Sequence, residues 1–530
     1  MQGQYRGDFT RDAFHPAKHF SRVLMQQGRV QVDADWNEQT AILLHYLRSL
    51  AADLIGPHGG PAVEGADTTK GFFVKTEPAL TAEGDFLIAE GHYYVDGILC
   101  ELDSPAVAFI PSSTSKKEII LQNTGVKEVR FETGQYVEIF DDGAKFASEF
   151  CKITNATKVG TTTQLTLDAE PKQYQIPKVR NVCTYKTQPD YPLPNGSTIQ
   201  KDSSGKFLVY LDVWERHITH LEDASCREVA LGGADTATRA KVVWQVKTSS
   251  VIPKTLDDGD WRAFVSTNFQ SHSRGLLKAR VQPQTASTDP CTISPASVYR
   301  GAENQLYRVE INTGGSPPNA TFKWSRENGS VVFPILSAGS GETTITLGNL
   351  GRDQRLGLKE GDWVEVLDDD SVLQNQAGML LKVMAIERST LKVTLNAAAS
   401  ETLSTGSAKN PLLRRWEQKS GDPNAGGVPL AKDGAVSIVE GTWIPLEDGI
   451  QIQFQKGGNY RTGDYWLIPA RTATGDIQWP RSRAAQSAAQ PIPEELPPHG
   501  VEHYYAPLAL VQGDTSTDLR RTFTTQAMGS

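Results

Sequence analysis

Cysteine is scarce: five residues in 530, at 100, 151, 183, 226 and 291, an odd number without a CxxC pair. That pattern argues against a disulfide framework and against a zinc knuckle, and it suits synthesis in a reducing cytosol. No Sec leader is expected either, because "MQGQYRGDFTRDAFHP" has no apolar h-region. No run approaches the ~18 apolar residues of a transmembrane helix, so no membrane insertion is expected. The 53 Lys and Arg are scattered among 62 Asp and Glu, leaving a net charge of −9 and no basic stripe for nucleic acid. The signatures GxSxG, GxxxxGK[ST] and HExxH do not occur, so the chain offers no familiar nucleophile, phosphate loop or zinc helix.

What is present suits a large globular chain, with 38% hydrophobic and 22% charged residues. Single cores stop growing near ~250–300 residues, so three or four domains are expected. One strong helical pattern stands near the start, "DADWNEQTAILLHYLRSLAADLIGPHGG". Asp33 or Asp35 can cap it, and Glu38 completes a capping box with Asp35. Trp36, Thr40, Leu43, Leu47, Ala51 and Leu54 form one stripe, and Ile42, Tyr46 and Leu50 a second beside it. Gly56 and Pro57 stop the helix. An apolar arc this wide places the helix between two surfaces, of its own chain or of a partner. Residues 1–32 read as an extended arm without a core, with Phe9, Phe14, Phe20, Val23 and Leu24 set among polar residues.

After Pro61 the hydrophobic period changes to two. Asp96-Gly97 between two strand-like runs predicts a hairpin, as do Asn328-Gly329 and Gly457-Gly458 further on. An internal repeat follows. "EIILQNTGVKEVRFETGQYVEIFDD" (118–142) aligns with "TITLGNLGRDQRLGLKEGDWVEVLDDD" (344–370), and "TTTQLTLDAE" with "STLKVTLNAA". Each copy predicts a small closed barrel of about five strands. The carboxylates that close the shared motif, Asp141/Asp142 and Asp368/Asp369/Asp370, read as turn formers, since no calcium-loop spacing surrounds them. The fold class is therefore mainly β and multidomain. Its expected parts are an arm plus helix (1–62), a hairpin region (63–117), a first barrel (118–171), a central β domain (172–341), a second barrel (342–398) and a C-terminal β region with a tail (399–530).

The run "LVYLDVWERHITHLED" (208–223) is the densest in chemistry-bearing side chains. As a strand it puts Leu208, Tyr210, Asp212 and Trp214 on one face and Phe207, Val209, Leu211 and Val213 on the other, with both faces buried. Glu215 or Arg216 is then expected in a buried or interfacial pair. His217 and His220 lack the helix that would bring them together on one metal. A glycosidase role for Glu215 would need a second carboxylate that the run does not supply. No catalytic residue, cofactor or metal is assigned.

"GDFTRD", "HFSRVLMQQGRVQVDADWNEQ", "YLDVWER", "GGADTATRAKVVWQVK", "ENQLYRVEI", "FKWSRENGSVV" and "GDYWLIPAR" together resemble an uncharacterised bacterial family found beside genes for phage-tail-like contractile injection systems. The resemblance runs from Gly7 to about Val511. It implies a structural part of a tail-like particle, made and assembled in the cytoplasm, with other tail or baseplate proteins as partners and three or six copies in a ring. Phe9, Phe14, Phe20, Trp36, Leu43, Leu47 and Leu54 are then the expected interface anchors. Two other readings stay open: a carbohydrate- or receptor-binding tail module contacting a cell-surface glycan through Tyr93, Tyr94 or Trp466, and a tailspike-type glycoside hydrolase using Glu215.

Overall fold

A computed structural model describes residues 3, 5–62, 71–122, 131–141, 148–159, 162–194, 196–255, 257–270, 274–283, 298–339, 341, 343–399, 403, 406–420, 428–482 and 492–523. The protein is mainly β and multidomain. The chain divides into two compact units, one of residues 1–46, 214–241 and 262–502, the other of residues 47–213, 242–261 and 503–530. Among the described residues no helix is long and apolar enough to cross a membrane. Cys100, Cys151, Cys183 and Cys226 are free thiols; Cys291 lies outside the described residues, as does Asp142.

The repeat folds twice into the same closed barrel. The first uses strands Val107–Pro111, Glu118–Leu121, Tyr136–Asp141, Ser148–Val159, Thr162–Leu167 and Pro177–Thr184; the second uses Val332–Ala338, Thr344–Leu347, Trp363–Leu367, Met379–Glu387, Lys392–Leu395 and Leu412–Trp416. Numbered along the chain, both sets pair antiparallel in the ring order 1-2-5-4-3-6 and close from 6 to 1. Each barrel has six strands where the repeat length predicts about five. The extra pairing comes from first and sixth strands that lie partly or wholly outside the aligned stretches. Val137 and Val364, at the same place in the repeat, are fully buried inside their barrels. Closure leaves no free sheet edge, which is how so small a unit protects its backbone donors.

In the larger unit, strands Gln305–Thr313, Thr321–Ser325 and Tyr465–Arg471 form the middle of a five-stranded sheet. Its core packs Tyr307, Phe322, Trp324 and Trp466 with Ile452 and Phe454. In the other unit, Phe207, Val209, Leu211 and Val213 join Phe72, Val95, Trp244 and Leu508 in one core. Residues 207–214 are buried without a break, so both faces of that strand are covered as expected.

The Asp96-Gly97 turn joins Gly91–Val95 to Ile98–Leu102, with φ of 46° and 76° at its two residues. A Cβ on Gly97 would stand 2.1 Å from the Arg48 carbonyl oxygen, so only glycine fits there. The other two predicted hairpins are not hairpins. Asn328 and Gly329 take the left-handed turn (φ 52° and 69°), but Thr321–Ser325 pairs with Gln305–Thr313 while Val332–Ala338 enters the second barrel. Ile450–Phe454 likewise pairs with Leu277–Val281, and Tyr465–Arg471 with Gln305–Thr313. Gly457-Gly458 therefore switches sheets, and Phe454 meets Trp466 through the core at 5.8 Å between rings. The expected tail is also built in as far as Phe523. Thr515–Asp518 pairs with Tyr504–Gln512, and Thr522–Phe523 runs parallel to His58–Pro61.

Candidate functional site

The N-terminal segment is anchored in the larger unit by charge. Arg308 and Glu310 lie two apart on one face of their strand, and Glu310 stands opposite Lys323 on the next. Glu310 receives Arg6 Nη2 at 2.8 Å and Arg308 Nε at 2.6 Å, with Lys323 Nζ at 3.6 Å. Lys323 also donates to Glu365 at 2.6 Å, and the Trp416 indole donates to the second Glu365 oxygen at 2.9 Å. The Asn328 amide donates to the carbonyls of Tyr5 and Gly7, and the Tyr465 hydroxyl to that of Gly3. This is why a left-handed turn at Asn328 is kept without a hairpin: it aims the amide at the incoming chain. Burial alone would raise the Glu310 carboxyl, but Arg6, then Arg308 and Lys323, outweigh it and hold it well below the usual carboxylate range.

The expected interface anchors fall into two groups. Phe9 packs on Leu306, Tyr465 and Leu467 of its own chain, and Phe14 sets its ring 5.7 Å from His45. Both are half-buried, so they tether the arm internally instead of offering a free surface. Phe20, Trp36, Leu43, Leu47 and Leu54 are exposed, Trp36 by 77% and Leu54 by 78%. Residues 1–32 are thus a built-in first segment followed by an exposed one.

The helix runs from Asp33 to Ile55, and only Ala34 and Ile42 on it are buried. It does not lie between two surfaces of its own chain. Asp33 starts the helix and accepts the Thr10 amide at 2.8 Å; Gln39 accepts the Val23 amide at 2.8 Å, holding the arm alongside. Trp36, Thr40, Leu43, Leu47, Leu50 and Leu54 are all exposed and follow one another at alternating steps of four and three, which is the a/d spacing of a coiled coil. Leu50 belongs to this seam in place of Ala51. Phe20, Leu24, Met25 and Val30 of the arm add further exposed apolar side chains.

The run 208–223 is absorbed by structure. Glu215 accepts the Tyr5 hydroxyl at 3.0 Å, and Arg216 pairs with Asp369 at 2.5 Å. His217 packs edge-on to Tyr5 and Phe9, while His220 faces Asp235 at 3.2 Å. Glu222 binds back to Thr219, and Asp223 caps a short 3-10 turn. Asp141 accepts the amides of Gln175 and Ile176, and Asp368 that of Ser371, so both act as turn acceptors. Tyr93 and Trp466 are each 1% exposed, which removes them from any sugar-stacking platform; Tyr94 is half-buried. Among the described residues no group of three or more His, Cys, Asp or Glu is placed to hold a metal ion.

Sequence reasoning missed the charge network. Its signal was Arg308, Glu310, Lys323, Arg414 and Arg415 standing inside runs that otherwise read as buried strands.

No curated protein matches the chain. A model of DUF6519, described as a family of unknown function, matches residues 5–116, 179–258 and 260–517. The stretch passed over, 117–178, holds the second to fifth strands of the first barrel, whereas the second barrel lies wholly within the match. With most of its length matched, including the anchored N-terminal segment, the helix and the larger unit's sheets, the chain is a member of DUF6519.

Proposed function

We propose that this protein is a structural subunit of a phage-tail-like contractile injection particle, at a baseplate, fibre or accessory position, and that it assembles through the exposed seam of the helix Asp33–Ile55. One observation carries the reading: an a/d row of Trp36, Leu43, Leu47, Leu50 and Leu54 stands in solvent on a helix of 23 residues. Covering each of these side chains stabilises by ~1.5–3 kcal/mol, on the order of 10 kcal/mol together. Association costs ~4–15 kcal/mol, so covering the seam suffices most readily when Phe20, Leu24 and Met25 are buried with it. The occupant is the same helix of further copies. A heptad row is self-complementary, so copies of it close a ring around one axis without a second type of surface. The repeated barrels, with no open edges, serve as rigid body.

Analytical ultracentrifugation of the full chain and of the Leu43→Asp/Leu47→Asp double variant tests this. The native chain should sediment as a closed oligomer and the variant as a monomer with an unchanged circular dichroism spectrum. In source-cell lysate, a density gradient should carry the native chain, and not the variant, with sheath and tube proteins. A native chain that stays monomeric, and stays at the top of the gradient, would overturn the proposal.

A further inference from the structure

The arm beside the helix is laid out but barely held. From His15 to Gln31 every residue is exposed except the half-buried Val23. Among the described residues one hydrogen bond, from the Val23 amide to Gln39, ties this stretch to the rest of the chain. A single such bond does not offset the conformational entropy of fixing so long a segment. Burial adds little, since Phe20, Leu24, Met25 and Val30 all stand in solvent, Val30 by 88%. What orders the arm therefore lies outside its own chain.

Charge identifies that surface. Residues 13–32 carry Lys18, Arg22 and Arg29 and no carboxylate, and all three cations are exposed. The first part of the helix, 33–46, carries Asp33, Asp35 and Glu38 and neither lysine nor arginine. The two sets do not meet within one chain: among the described residues none of the six forms an ion pair. Asp33 is taken up by the amide and hydroxyl of Thr10.

In the ring proposed above, on which this inference rests, the helices run parallel about one axis. The acidic parts of all copies then gather at one end. Like charge there opposes closure, and helix-on-helix contact supplies no cation against it. The seam also leaves apolar flanks. With Trp36, Leu43 and Leu50 at d, the exposed Leu44 falls at e and the exposed Tyr46 at g, where a coiled coil ordinarily carries charge. Gln39, the residue that holds Val23, is itself a g position. The arm thus already lies along the g flank of its own helix, on the side that a neighbour's e flank approaches in a ring.

We propose that the arm fills the gap between its own helix and that of the next copy, setting Phe20, Leu24 and Met25 against the neighbour's Leu44 and bringing Lys18, Arg22 and Arg29 to the acidic end of the bundle.

Sedimentation equilibrium of the full chain tests this, with Arg22→Glu/Arg29→Glu as the variant. Both side chains are exposed, so the circular dichroism spectrum should be unchanged. At about 50 mM salt the variant should associate roughly tenfold more weakly than the native chain, and at about 1 M salt the gap should close. Adding Asp35→Lys/Glu38→Lys to the same chain should restore association at low salt. Failure of that rescue would mean the cations meet some other surface, and would overturn the proposal. So would an arm variant that associates as tightly as the native chain while Leu43→Asp/Leu47→Asp is monomeric, which leaves the seam standing without the arm. A monomeric native chain removes the seam and the arm contact together.

Discussion

Arg6 and Glu310 are 304 residues apart and meet through hydrogen bonds of 2.8, 3.0 and 3.2 Å, with side chains 10% and 3% exposed. Because Glu310 also serves Arg308 and Lys323, the two partners are not equivalent. Removing Arg6 leaves the carboxylate with two cations, whereas removing the carboxylate takes a shared partner from all three cations and leaves Lys323 its bond to Glu365. Breaking a buried pair costs ~3–5 kcal/mol. Arg6→Met should fall at or below the lower end of that range and Glu310→Gln at or above the upper. Urea unfolding followed by tryptophan fluorescence compares them, and equal losses would refute the shared-carboxylate account.

Excision of residues 117–178 should leave a folded protein. The first and sixth strands of the first barrel pair directly, and the pair Val107–Val179 survives the excision, so a short Gly-rich turn can join what remains. The barrel core, including Val137, Ile139, Cys151 and Leu165, leaves with the segment instead of being exposed. The shortened chain should keep a cooperative thermal transition, while the same excision in the second barrel, across 344–395, should abolish it, because Glu365 would be taken from Lys323. Scanning calorimetry of the two deletions separates the cases.

Two buried histidines should make the protein less stable in mild acid. Burial holds His58 down to about 4 and His217 to about 3, against an ordinary value of 6.5. Between those values and 6.5 only the unfolded chain takes up the proton, so stability falls as pH drops through that window and is unaffected above it. Each histidine contributes a slope of up to ~1.4 kcal/mol per pH unit. Urea midpoints should therefore decline steadily from pH 6.5 to pH 4.5 and stay level from 6.5 to 7.5 as far as these groups are concerned. His58→Phe and His217→Phe should each flatten the decline.

Local rules made some of this structure readable and hid the rest. Period-two alternation, the Asp96-Gly97 turn and the repeated Gly-x-Φ-Val-Glu motif identified the β class and both barrels, because each depends on residues close in sequence. The strand 207–214 was recognisable as doubly buried because both of its faces are apolar. The turns at Asn328 and Gly457 misled, since a left-handed turn fixes the chain's reversal but not which sheet receives the next strand. The charge network was invisible for a related reason: Arg6, Glu310 and Glu365 are joined only by topology. The helix seam was half legible. Its apolar arc was plain in the sequence, but whether the arc was covered by its own chain depended on packing, which no periodicity reports.

The hydrogen bond from Tyr465 to Gly3 spans 462 positions. At a synthesis rate of ~5–20 residues per second, the ribosome needs roughly 20–90 s to produce the far partner after the near one has emerged. For that whole interval Gly3 and Phe9 lack Tyr465, and the sheet that will receive them lacks one of its strands. The sheet around Glu310 therefore closes late, on a segment made before it and seated after it. Folding of the larger unit waits for nearly the full chain, and a nascent chain stalled before residue 465 carries its opening residues undocked.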